Sequence, residues 1–152
     1  MEKPDKMVVA FLKKHHVLTL ATCVDHQPWC ANCFYTFLED DVALVFTSDF
    51  ETRHIQETLK NSLVAGSVVL ETSIVNKIQG IQFSGRLELP QTEMIDKSKY
   101  AYLKRFPFAA LMDTTLWVLY VDHLKMTDNR FGFGKKLIWK RKKAVFPVQL
   151  RL

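Results

Sequence analysis

The chain has 152 residues, 48% of them apolar and 24% charged, a size and mix that allow one unit with a real hydrophobic core and exclude a disordered chain. No apolar run approaches the roughly 20 residues that span a bilayer. The opening Met1-Glu2-Lys3-Pro4-Asp5-Lys6 also lacks the apolar core of a signal peptide, so a cytoplasmic location is expected. The formal charge of +5 is unevenly placed: residues 124–152 carry nine basic and one acidic side chain, the first 123 twelve basic and fifteen acidic. The cluster Lys135, Lys136, Lys140, Arg141, Lys142 and Lys143 suits a phosphate on a small ligand, a nucleic acid or an anionic membrane, or is simply a solvated basic end.

In chain order, Met7, Val8, Phe11 and Leu12 place apolar residues on one face of a helix that ends near His15-His16. Residues 17–23 are β-branched and apolar and read as a strand. Asp25-His26-Gln27-Pro28 turns the chain into a second strand over 29–38, and Glu39-Asp40-Asp41 into a third over 42–47. A short helix follows over 51–60, with Ile55 and Leu59 four apart. Strands resume over 63–72 and 77–90, with Gly80 and Gly85 marking bulges or bends. A helix over 92–105 leads through Phe106-Pro107-Phe108 to closing strands over 117–121 and 125–127. No repeat or Gly/Ser linker interrupts the chain, so residues 1–152 are expected to form one domain. The first three strands have no helix between them, which predicts a mainly β fold, a small antiparallel barrel flanked by helices.

The junction Thr47-Ser48-Asp49-Phe50-Glu51-Thr52-Arg53 holds the most chemistry. Free backbone N–H groups and the helix dipole attract an anion where a strand feeds a helix, and hydroxyls at Thr47, Ser48 and Thr52 surround that point. Ser48-x-x-Glu51 also satisfies a capping box, which would make the segment a plain helix start. Against that reading, Arg53, with His54 beside it, sits in the first turn. A cation there is disfavoured by roughly 0.3–1 kcal/mol unless an anion is bound.

Other motifs are weaker. Cys30-Ala31-Asn32-Cys33 has redox or zinc spacing, but within a strand its two sulfurs fall on opposite faces, so structural, reduced cysteines are expected, Cys23 included. His15, His16, His26, His54 and His123 form no metal-ligand spacing. The run from Gly132 through Phe133, Gly134 and Lys135-Lys136 to Arg141 lacks the spacing of a nucleotide-binding loop. It reads as a basic edge strand or as a second approach to a ligand.

Trp29-Cys30-Ala31-Asn32-x-Phe34-Tyr35, Thr52-Arg53-His54, Gly80-Ile81-Gln82-Phe83-x-Gly85, Arg105-Phe106-Pro107 and Thr127-Asp128-Asn129-x-x-Gly132-Phe133-Gly134-Lys135-Lys136 together cover nearly the whole chain. In these blocks it resembles the FMN-binding split-barrel superfamily related to pyridoxamine 5′-phosphate oxidase, and within it the YhbP-like bacterial proteins. The resemblance implies an antiparallel split β-barrel of FMN-binding type and a homodimer with a flavin at each subunit interface. It carries the flavin contacts onto Asn32, Thr47, Ser48, Thr52, Arg53 and Gln79, and puts Tyr102 and Arg105 on the substrate side. Three cationic positions of the oxidase pattern are Thr52, Asn32 and Phe37 here, and the expected substrate serine falls near Ala110. A substrate other than pyridoxamine phosphate, or none, is implied. Lys135 and Lys136, from this subunit or its partner, would replace some of the missing charge.

The leading expectation is therefore an FMN-dependent oxidoreductase in which the flavin carries the electrons and the protein supplies position and electrostatics. A flavin-binding or cofactor-free dimeric module without turnover is the alternative. A third reading makes the tail a nucleic-acid platform, with Phe131, Phe133 and Trp139 among its cations.

Overall fold

The computed structural model describes residues 2–132 and 135–142; Phe133, Gly134 and Lys143 lie outside the described residues. Helix α1 (Lys6–Lys14) starts where the Asp5 carboxylate accepts the Met7 N–H at 2.8 Å, and buries Val8, Phe11 and Leu12. Strands β1 (Val17–Val24) and β2 (Gln27–Leu38) form a hairpin. Its turn is only two residues, Asp25 and His26, both at positive φ (51° and 61°). That geometry matches the twist of the flanking strands, so β2 begins earlier than expected and includes Pro28. The hairpin partner of β2 on its other side, β3 (Ala43–Ser48), leads to α2 (Arg53–Lys60), then β4 (Leu63–Val69) and β5 (Gln79–Glu88).

Helix α3 (Glu93–Arg105) and a 3-10 turn (Pro107–Leu111) precede β6 (Thr115–Asp128). A second 3-10 turn (Asn129–Phe131) connects β6 to β7 (Lys136–Lys140). The two expected closing strands are one, because a bulge absorbs the polar Asp122-His123 between them. Ser84 pairs with His123 and Gly85 with Val121, leaving Asp122 as the extra residue. Gly85 is required there: a Cβ would lie 2.1 Å from the Tyr120 carbonyl oxygen. Gly80 pairs regularly with Val69 and Thr127, so the second expected bulge is absent from the β4–β5–β6 ladder.

All the pairings are antiparallel, in the order β3-β2-β1-β4-β5-β6-β7, and β3 also pairs with β6. The pairings thus return on themselves around six strands, with β7 added outside. The principal core lies inside this ring, with Leu18, Leu20, Tyr35, Leu44, Phe46, Trp117, Leu119 and Leu124 among its buried residues. A smaller cluster forms on the outward face, where α3 covers it: Leu38, Ala43, Val45 and Val118 pack with Tyr102. Among the described residues no helix covers the rest of the outward face, and Phe34 there is 60% exposed.

Candidate functional site

Adjacent residues of a strand point to opposite faces, and this divides the Thr47–Arg53 segment between two environments. Thr47 faces outward. Its Oγ1 lies 3.2 Å from the Tyr102 hydroxyl, which also reaches the Phe34 carbonyl at 3.4 Å. Ser48 faces the other way, toward α2. Its Oγ is 2.7 Å from His54 Nε2 and 3.2 Å from Thr52 Oγ1, and its carbonyl accepts the Trp117 indole N–H at 3.0 Å.

The capping box does not form. Ser48 is still in the β3 ladder, opposite Thr115, and the residue at the N-cap of α2 is Thr52. Thr52 makes no side-chain cap either, since its hydroxyl donates to the Asp49 carbonyl at 2.8 Å. The α2 start therefore keeps its positive end without a side-chain oxygen on it. Gln56 closes the loop from the helix side by donating to the Phe50 carbonyl at 2.6 Å, and the Phe50 ring meets Trp117 edge-on at 5.3 Å.

Arg53 is held in place rather than loose. Its Nε donates to Glu57 Oε1 at 2.8 Å, and its guanidinium lies 4.2 Å from the centre of the Trp29 ring. The other oxygen of Glu57 accepts the hydroxyl of buried Thr22 at 2.5 Å. The Thr22 hydroxyl and Arg53 hold the Glu57 carboxyl below its ordinary value. Half-burial holds His54 below its own, with Glu57 opposing, so the imidazole bonded to Ser48 favours its neutral form. Among the described residues, the Nη atoms of Arg53 make no hydrogen bond and stay available to an oxyanion. His54, Glu57, Trp29 and Trp117 complete this cluster, and of these the sequence had pointed only to His54, by its place beside Arg53.

The remaining expected residues are scattered. Asn32 is on the outward face, accepting the Thr19 hydroxyl at 2.9 Å. It begins a polar row that crosses five strands, Asn32, Thr19, Ser67, Gln82 and Lys125, each opposite the next. Gln82 is thus the glutamine on this face, whereas Gln79 shares the alternate face with buried Ile81 and Phe83. Periodicity within β5 is the signal that separates the two. Arg105 is turned away from the outward site: its Nη2 donates to the carbonyls of Lys13 and His15, tying α3 to the end of α1. Its guanidinium also lies 5.6 Å from the Tyr35 ring centre. Phe37 is in the core. Lys136 pairs with Thr127, eleven residues along β6 from Leu116, the partner of Thr47. That puts it toward the opposite end of β6 from Thr47. Lys135 lies with its ammonium 5.4 Å from the Phe131 ring centre. Cys30 is exposed and Cys33 buried, as opposite faces require, and burial raises the Cys33 thiol to about 11. No group of three metal-ligating side chains occurs among the described residues.

No family model matches the chain. In fold it is similar to a heme-binding protein of Mycobacterium smegmatis, with a TM-score of 0.74 at 19% identity over 92% of this chain and 60% of that one. It is also similar to a putative pyridoxamine 5′-phosphate oxidase of Listeria innocua, with a TM-score of 0.63 at 14% identity over 80% and 96%. The class is accordingly an antiparallel β-sheet protein with flanking helices, of the pyridoxamine 5′-phosphate oxidase-like fold. A UPF0306 protein of Photorhabdus laumondii is 38% identical over 136 residues, covering 90% of this chain and 95% of that protein. The chain belongs to the UPF0306 family. No helix among the described residues is long and apolar enough to cross a membrane.

Proposed function

We propose that this protein is a cytoplasmic, YhbP-like split-barrel flavoprotein that binds FMN and acts as an oxidoreductase other than pyridoxamine 5′-phosphate oxidase. The observation that carries the reading is Arg53 at the uncapped start of α2, oriented by Glu57 and Trp29 with its Nη atoms open. A carboxylate on Nε and a ring on one face preorganise a guanidinium for a phosphate, which it holds best through paired N–H donors. The Ser48 hydroxyl, the Thr52 hydroxyl and His54 bond to one another at the same strand-to-helix junction. When bound, FMN supplies hydride and single-electron transfer. The chain's own part is to anchor the phosphate and to offer the outward polar row as a surface for the flavin.

The rest of the site is read as shared between two copies. Lys136 pairs near the end of β6 opposite the Thr47 end, and Lys135 and Lys136 would serve a partner's flavin. The uncovered outward face, with exposed Val17, Phe34 and Val69, would pack against that partner. Heme is the second reading, favoured by the likeness in fold to the M. smegmatis heme-binding protein. The absorption spectrum of the purified protein, before and after adding FMN or hemin, separates the two. A yellow protein that bleaches with a reductant supports flavin. A Soret band supports heme, and neither chromophore at saturating cofactor refutes both.

A further inference from the structure

The Cys30-Ala31-Asn32-Cys33 spacing divides its two sulfurs between the faces of β2, but the β1–β2 register gives Cys30 a different neighbour. Ala21 lies opposite Cys30 and Pro28 opposite Cys23, so Cys23 and Cys30 share one face of the hairpin as diagonal neighbours. That face is the outward one, since Thr22, between Ala21 and Cys23, is buried on the other. Both thiols are exposed. The right-handed twist of a strand pair shortens this diagonal, which joins the residue nearer the turn on the first strand to the one farther from it on the second. The two-residue turn at Asp25 and His26 fixes the register, and the Asn61 amide donates to the Cys23 carbonyl at 3.0 Å, anchoring the end of β1. Among the described residues, β2 is paired on its other side only from Tyr35 onward, so the two thiols stand at an open edge.

We propose that Cys23 and Cys30 together bind one soft monovalent cation, Cu(I), as a two-coordinate dithiolate. The spacing selects a bridged pair over a disulfide. An unstrained disulfide needs Cβ atoms about 3.8 Å apart, whereas diagonal neighbours lie roughly 7 Å apart or somewhat less. Two metal–sulfur bonds of about 2.3 Å separate the sulfurs by up to about 4.6 Å and span that gap. The surroundings select the ion. A structural Zn(II) site takes four ligands, and the neighbours on the same face, Ala21, Pro28 and Ala65, bring no imidazole or carboxylate. Thiolates are the soft donors that suit Cu(I), and two suffice for it. Each thiol gives up its proton on binding, and the metal keeps its oxidation state. Cys33 takes no part, because it is buried on the core side, where burial raises its thiol to about 11. The proposal does not depend on the flavin reading, since Trp29 and the Arg53 it carries lie on the other face of the hairpin.

The test is an anaerobic titration of the full chain against Cu(I) held as its coloured bicinchoninate complex. Bleaching is expected to end at a single equivalent per chain. The two exposed thiols, which Ellman's reagent modifies in the metal-free protein, should then resist it. Cys23→Ser and Cys30→Ser, each at an exposed position, should melt as the parent does and each lose at least about tenfold in Cu(I) affinity, since each removes one of only two ligands. Zn(II), titrated in the same way against a coloured chelator, should not be withdrawn. The proposal is overturned if the parent leaves the copper complex coloured, if either serine variant bleaches it as fully as the parent, or if the end point is one Cu(I) shared by two chains.

Discussion

Thr47 and Ser48 are neighbours in β3, yet the Thr47 hydroxyl meets Tyr102 under α3 while the Ser48 hydroxyl meets His54 under α2. The pleat of one strand therefore serves two environments. Changes at the two positions should separate: Ser48→Ala should act on anion binding at α2, and Thr47→Val on the contact with Tyr102 under α3.

Arg53→Ala should weaken FMN roughly ten- to a hundredfold, since a charge-assisted phosphate contact contributes about 1.5–3 kcal/mol. Stability should fall by no more than about 1 kcal/mol, because the Arg53 end of this i,i+4 pair is half exposed and Glu57 keeps its bond from Thr22. Calorimetry with FMN and urea unfolding of the same protein check both halves. FMN affinity equal to that of the parent would remove the phosphate role.

Acid should destabilise the protein in two steps. His54 is depressed below its ordinary 6.5 by burial, so the unfolded chain takes up its proton first, and stability falls as pH drops below about 6.5 toward the folded value. Glu57 is depressed below its ordinary 4.5, so the stability it contributes is intact above that pH and is lost as pH falls through its folded value. Urea midpoints measured across pH should show the upper step reduced in His54→Gln, with the share of the likewise depressed His15 remaining, and the lower step reduced in Glu57→Gln.

Arg105→Ala should cost stability rather than chemistry, by about 1.5–3 kcal/mol, because it leaves two carbonyls at the end of α1 without their charged donor. Denaturant unfolding measures it. A variant as stable as the parent but altered in ligand binding would return Arg105 to the substrate side.

Gly66→Ala and Gly85→Ala should each cost at least about 3 kcal/mol. A Cβ at Gly66 would fall 2.2 Å from the Thr19 carbonyl oxygen and 2.4 Å from the Phe83 ring, and Gly85 meets backbone just as closely. Neither strand pair can separate without breaking its ladder, so poor soluble yield is the expected outcome, with thermal melting of any recovered protein as the measure.

Replacing Lys135 and Lys136 together by alanine should weaken FMN only through the partner's site. Mixing that variant with an Arg53→Ala chain should restore about one intact site per heterodimer. Binding by the double lysine variant equal to the parent's would make β7 a plain basic edge strand.

The sequence by itself determined the local elements and their order. Apolar period and turn chemistry place α1, the β1–β2–β3 meander, α2 and α3 within a few residues, and alternation in β2 separates Cys30 from Cys33. Those are near-neighbour effects, set by side-chain size and backbone preference over a few positions. The tertiary structure decided what distant residues do to one another. It merged two expected strands into β6 by a bulge that only the pairing with β5 reveals, drew Arg105 to α1, and moved Gln79 off the face that Gln82 occupies. It also added to the Thr47–Arg53 segment a cluster in which Thr22, Trp29 and Trp117, from three other places in the chain, hold Glu57, Arg53 and Ser48. Such placement depends on strand register and helix packing, which no short window of sequence contains.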